Sequence, residues 1–156
     1  MRQRLLPGGG PLLEPIRPEE IRGLRKVEFH LVPSTEESPA QFLIDGVPFS
    51  GKIMQEMKKD TAERWHITNV NTFTHPFHIH VNPFFVTHID GVELEEGNPL
   101  RRWQDTIALP VSPGGDAVGS ITMKSRFVRF TGKFVIHCHI LEHEDEGMMQ
   151  AVEVIA

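Results

Sequence analysis

From residue 26 onward the chain is written in short apolar runs of period two, each closed by glycine, proline or an Asp-Gly pair. Side chains on a strand alternate between faces, so such runs specify half-buried strands and leave few other folds open. Residues 27–32, 62–70, 77–89, 106–110, 118–124, 134–139 and 150–155 read as strands, and residues 41–49 as a hairpin around Asp45-Gly46. Asp90-Gly91, Gly97-Asn98-Pro99 and Pro113-Gly114-Gly115 supply turns between them, while residues 53–59 are expected to make a helical turn. This series predicts an all-β Greek-key sandwich or barrel. A chain of 156 residues can bury a real core in one domain, and no internal repeat is present.

Residues 1–25 keep no hydrophobic period and carry Pro7, Pro11, Pro15 and Pro18, so they read as a linker before a domain at 26–156. Their basic start runs into Pro7-Gly8-Gly9-Gly10-Pro11 and contains no apolar export-signal core. The expectation is a cytoplasmic chain, or one whose export signal lies elsewhere. A net charge of -5 and a pI near 6.0 offer no basic patch, which argues against nucleic acid as a partner. No apolar stretch is long enough to span a bilayer. The single cysteine, Cys138, excludes an internal disulfide and points to metal or catalytic use.

Six of the nine histidines fall, with that cysteine, in two short segments. One is His75-Pro76-Phe77-His78-Ile79-His80. The other is His137-Cys138-His139-Ile140-Leu141-Glu142-His143, followed by Gly147-Met148-Met149. On a strand Cys138 points one way while His137 and His139 point the other. His78 and His80 share a face in the same manner, with His75 upstream across the proline. Two groups follow. Cys138, His143 and His75, with Met148 near His143, offer a thiolate, two imidazoles and a thioether, the ligand set of a blue copper site. His78, His80, His137 and His139 offer four imidazoles without sulfur, which suits copper at a more open, oxygen-accessible site. Structural zinc favours paired cysteines, and here there is one.

These segments resemble the C-terminal copper-binding domain of the multicopper oxidases, the family of laccases, bilirubin oxidases and cuprous oxidases. Phe42-Leu43-Ile44-Asp45-Gly46, Glu63-Arg64-Trp65, Asn69 and Trp103-Gln104-Asp105-Thr106 extend the likeness from about residue 27 to the C-terminus. The resemblance implies a cupredoxin fold with type 1 copper on His75, Cys138 and His143 and with Met148 axial. It further implies type 2 copper on His78, and type 3 coppers on His80, His137 and His139. Glu144 matches a family acid that relays protons to reduced oxygen. The implied reaction is one-electron oxidation of a small reductant such as a phenol, an aromatic amine or a metal ion, coupled to reduction of dioxygen to water. The family works in the periplasm or outside the cell.

The family's trinuclear cluster takes eight imidazoles, four from each of two domains, and one copy of this chain cannot supply them. Three expectations stand side by side: a partner cupredoxin domain, a homo-oligomer built on a two-fold interface, or a blue copper electron carrier without oxidase activity.

Overall fold

The computed structural model describes residues 13–156. Twelve strands follow one another: β1 (Ile21–Val32), β2 (Gln41–Ile44), β3 (Ile53–Lys58), β4 (Thr61–Asn69), β5 (Pro76–Ile79), β6 (Phe84–Ile89), β7 (Val92–Glu93), β8 (Trp103–Gln104), β9 (Thr106–Ala108), β10 (Gly119–Phe127), β11 (Gly132–Cys138) and β12 (Met149–Ile155). A short helix, α1 (Leu141–Asp145), sits between the last two. One sheet runs β2-β1-β4-β10-β6-β7, with β8 added on β6, and the other runs β3-β12-β11-β5-β9. Their facing sides bury Phe29, Trp65, Ile67, Phe77, Phe84, Ile121, Phe127 and Ile136, all at most 1% exposed. At roughly 25 cal/mol per Å² of apolar surface, these side chains supply the main drive to fold. The result is a cupredoxin-like β-sandwich.

Three expectations need correction. In place of the helical turn expected over residues 53–59, residues 53–58 form strand β3, pairing parallel with β12, because Ile53, Gln55 and Met57 face inward at a period of two. The run at 77–89 is two strands, since the chain breaks at residues 80–83. Val81 turns left-handed there (φ 56°) and Pro83 has no N–H for a ladder. Strand β1 starts at Ile21, so the boundary drawn at residue 26 falls inside it. Its early half hid from a hydrophobic reading because its inward positions are Gly23 and Arg25, which cover the buried carboxylate of Glu63. Arg25 Nε donates to Glu63 at 2.6 Å and Nη2 at 3.0 Å.

The part of the linker reading that falls on residues 1–12 lies outside the described residues. Residues 14–20 are fastened to the sandwich. Ile16 is buried, and Arg126, itself 6% exposed, donates to both carboxylate oxygens of Glu20 at 2.9 and 3.1 Å and to the carbonyl of Glu14 at 3.2 Å. Burial raises the Glu20 pKa, but the Arg17 backbone N–H and the Arg126 guanidinium outweigh it and hold the carboxyl below its usual value. A carboxyl depressed on folding adds stability above its unfolded pKa and loses it as pH falls through the folded one. Urea unfolding between about pH 6 and pH 3 should therefore show a shallower acid loss in Glu20→Gln than in wild type. Equal slopes would show that this pair does not feed the acid limb.

Candidate metal centres

Register on one strand pair creates both centres. β11 and β5 run antiparallel with His137 opposite His78 and Cys138 opposite Phe77, and β9 continues the rows with Thr106 and Ile107. One row, Cys138-Phe77-Ile107, faces the core, and Cys138 is fully buried. The other row, His137-His78-Thr106, faces outward, with the exposed His139 one residue past the strand. The alternation expected at positions 137–139 is present.

On the inner side Cys138 Sγ lies 3.7 Å from His75 Nδ1 and 3.5 Å from His143 Nδ1, and the two nitrogens are 3.2 Å apart. The point equidistant from these three atoms is about 2.0 Å from each, close to the bond lengths of metal–imidazole and metal–thiolate pairs. Short backbone links hold the triangle. Cys138 N–H donates to the Met148 carbonyl at 3.0 Å, and Met148 N–H to the His143 carbonyl at 2.8 Å, so α1 is folded back beside the strand end. The Met148 side chain is fully buried, in the same core cluster as Cys138. Phe73 and Phe42 flank His75 and His143, with ring centroids 5.1 and 5.0 Å away.

Burial, with smaller contributions from His143 and His30, pushes the His75 imidazole down to about 4. His143, also lowered mainly by burial, is partly restored by Glu142. Burial raises the Cys138 thiol to about 11, against a lowering hydrogen bond from the Ile140 backbone. Near neutral pH the two rings are thus uncharged, with lone pairs free for a cation. The thiol keeps its proton until a metal displaces it.

On the outer side His78, His80 and His137 bring ring nitrogens within 4.8 Å of one another. His80 Nε2 and His137 Nε2 are 3.0 Å apart. His139 stands slightly off this group, its ring 5.3 Å from that of His78 and 5.7 Å from that of His137. The far nitrogens are tied. His78 Nδ1 meets the Asp105 carbonyl at 2.9 Å and Thr106 Oγ1 at 2.8 Å. His137 Nδ1 donates to the Cys138 carbonyl at 2.9 Å and to Glu144 Oε2 at 3.1 Å. Fixing one nitrogen as a donor leaves the other bare for a metal. His78 and His80 are also held below the usual histidine pKa, chiefly by burial.

A cavity of about 660 Å³ opens beside this face, lined in part by His80, Asn82, Trp103, Asp105 and Arg129. A larger one of about 780 Å³, between Arg64, Phe85, His88 and Lys124, lies on the other sheet and touches neither group. Sequence reasoning gave no role to Thr106, Asp105 or Asn71. Only the strand register, which sets Thr106 opposite His78, could have pointed to the first.

Of the four non-glycine residues with positive φ among those described, three are aspartates in turns and the fourth is Val81, next to His80. A β-branched residue is a real outlier there. Left-handed backbone costs it about 1–2 kcal/mol, and glycine at the same place costs roughly 0.5–1 kcal/mol in chain entropy. Val81 is half exposed and loses little burial on truncation. Val81→Gly should raise the melting temperature by about 2 °C, and a fall on thermal denaturation would contradict the strain assigned to it.

The Cys-His-His triangle on a β-sandwich, buried except at His143, with an open group of imidazoles one residue away, defines a copper-binding cupredoxin of the oxidase class. A multicopper oxidase family model matches residues 25–156, and the chain belongs to that family. Copper is the family's cofactor, and the donor set fits it. A multicopper oxidase of Staphylococcus aureus is 38% identical over 120 residues, covering 70% of this chain and 25% of its own length. Bilirubin oxidase of Albifimbria verrucaria is 32% identical over 148 residues, 82% of this chain and 24% of its own. The crystal structure of a laccase from Pediococcus acidilactici superposes with a TM-score of 0.70 at 27% identity, covering 99% of this chain and 32% of the laccase. The chain thus spans about a quarter of the curated relatives it matches. Among the described residues no helix is long and apolar enough to cross a membrane.

Proposed function

We propose that this chain is a laccase-like oxidase unit. It takes single electrons from a reducing substrate at a type 1 copper and passes them to dioxygen at a trinuclear cluster completed by a second cupredoxin unit. The observation that carries the reading is the position of Cys138. Its sulfur belongs to the inner triangle, and its two sequence neighbours belong to the outer imidazole group.

His75, Cys138 and His143, with Met148, would hold a copper that supplies the one-electron chemistry, and the outer imidazoles would hold copper that supplies the reduction of dioxygen to water. The chain's own part is positioning. The buried His75 and Cys138 exclude water, while the less buried His143 is the ring nearest an incoming reductant. Phe42 and Phe73 give that approach an apolar lining. The peptide bonds from Cys138 to His137 and His139 are the short covalent link between the two centres. His78 serves the type 2 position, and His80, His137 and His139 serve the type 3 pair. Glu144, on His137 Nδ1, can hold a proton beside the cluster. The reading includes a periplasmic or extracellular location.

The remaining imidazoles come from another domain or from a second copy about a two-fold axis. Copper stoichiometry measured together with solution mass tests this. An assembly of two cupredoxin units is expected, with more than one copper per chain and uptake of dioxygen on adding a reductant. For a symmetric pair the loading is one type 1 copper plus half of a three-copper cluster. A stable monomer that saturates at one copper would refute the symmetric pair, and one that still consumes no dioxygen when a second cupredoxin unit is supplied would be an electron carrier and refute the oxidase.

A further inference from the structure

Asn71 lies between β4 and His75 and is joined to both by hydrogen bonds that admit one arrangement. Its Oδ1 accepts from the Leu31 N–H at 2.7 Å, and its Nδ2 donates to the Leu31 carbonyl at 2.8 Å. Reversing the amide would set donor against donor and acceptor against acceptor, so this two-point pairing with the β1 backbone fixes which end is oxygen. That oxygen also lies 3.0 Å from His75 Nε2. An amide oxygen only accepts, so Nε2 carries the ring's proton and Nδ1 is bare. The bare atom is the one that faces Cys138 and His143. The loop around Asn71 has little freedom to drift. Its N–H donates to Asn69 Oδ1 at 3.0 Å, and its carbonyl accepts from Ser112 N–H at 2.7 Å.

We propose that Asn71 is a positioning residue of the inner centre: it holds His75 in the tautomer whose Nδ1 serves the metal, and through the same hydrogen bond it sets that ligand's donor strength. This rests on the type 1 reading above. A partner on the far ring nitrogen orients a ligating histidine and raises its basicity, and losing one typically weakens metal binding about 10–100-fold. A more basic ring favours the oxidised ion and lowers the reduction potential. Asn71→Asp keeps an acceptor facing His75 and Leu31 N–H, now charged, so the potential should fall. Asn71→Ala leaves Nε2–H without this partner, so copper binding should weaken and the potential should rise. A tenfold loss in affinity for the oxidised ion relative to the reduced one reads as about 59 mV.

The test begins without metal. Long-range proton–nitrogen spectra of the full chain separate a bare ring nitrogen from a protonated one. His75 is expected as a single Nε2–H tautomer in wild type and as a mixture in Asn71→Ala. A protonated Nδ1 in wild type, or an unchanged tautomer in Asn71→Ala, overturns the proposal. Potentials of the copper-loaded proteins follow, with Ser112→Ala as a structural control. Ser112 Oγ bonds Ala117 and Gly114 in the neighbouring loop, while its backbone bond to Asn71 survives the substitution. The control should lower the melting temperature and leave the potential in place. Equal potential shifts in all three variants would reduce Asn71 to a structural residue and sink the proposal. If the wild type forms no blue chromophore the type 1 reading fails, and the metal-free tautomer still decides what Asn71 does to the ring.

Discussion

Exchanging Cys138 for serine is expected to erase the intense visible absorption of the copper-loaded chain and its reduction by small donors, while the sandwich still folds. The sulfur is one corner of the inner triangle, 3.5 Å from His143 Nδ1 and 3.7 Å from His75 Nδ1. A serine hydroxyl is smaller, harder and not ionised near neutral pH, so it supplies neither the soft thiolate that suits both copper oxidation states nor the origin of the blue band. The structural cost is modest by comparison. Cys138 is fully buried among core residues, and an unpaired hydroxyl there costs about 1–3 kcal/mol, or roughly 2–12 °C of melting temperature for a chain this size. Metal-free melting curves alongside copper titrations separate the two effects. A variant that melts like the wild type and stays blue would remove Cys138 from the metal site and with it the proposed link between the two centres. A partner domain cannot rescue the variant, because all three corners of the triangle lie in this chain.

How much of this could be seen in the sequence depended on how local the cause was. The two faces at positions 137–139 follow from strand alternation alone, and the histidine segments are dense in the few side chains able to bind metals, so their convergence was legible. The break at residues 80–83 was not, because Phe84, Val86 and Ile89 continue the apolar texture of Phe77 and Ile79 while the backbone has already turned at Val81. α1 also escaped notice. Its five residues, Leu-Glu-His-Glu-Asp, bury nothing fully and show no helical stripe, and its fold comes from the ties that return Met148 to Cys138. Longest-range of all were the groups that hold the ligands. Asn71 works through the backbone of Leu31, 40 residues earlier, and Thr106 through a strand pair 28 residues from His78. Nothing near Asn71 in sequence marks it, and the likeness carried by residues 103–106 gives Thr106 no task.

Gly119 shows that such distant support also controls stability, and Gly119→Ala should be the most destabilising small substitution outside the ligand set. A Cβ at this position would meet the Pro110 carbonyl oxygen at 2.1 Å and its carbon at 2.5 Å. Both are backbone atoms, so no side-chain rotation relieves the overlap, and the strand or the loop must move. Gly119 pairs with Asn69 across β10 and β4, and the same Pro110 carbonyl accepts a hydrogen bond from Asn69 Nδ2 at 3.0 Å. Asn69 in turn holds the Asn71 N–H, and Asn71 holds His75. Overpacking of this kind costs about 3 kcal/mol or more, which lowers the melting temperature by roughly 6–12 °C in a protein of this length. Because the displaced atoms lead to His75, copper binding at the inner centre should weaken in the same variant. Gly46→Ala provides the contrast. Gly46 also resists a side chain, through its φ of 76°, but has nothing within 4 Å of the added Cβ, so it should cost about 1 kcal/mol and leave copper binding alone. If Gly119→Ala melts no lower than Gly46→Ala, the close approach of Pro110 does not constrain the fold, and the route from β10 to the metal ligands is broken.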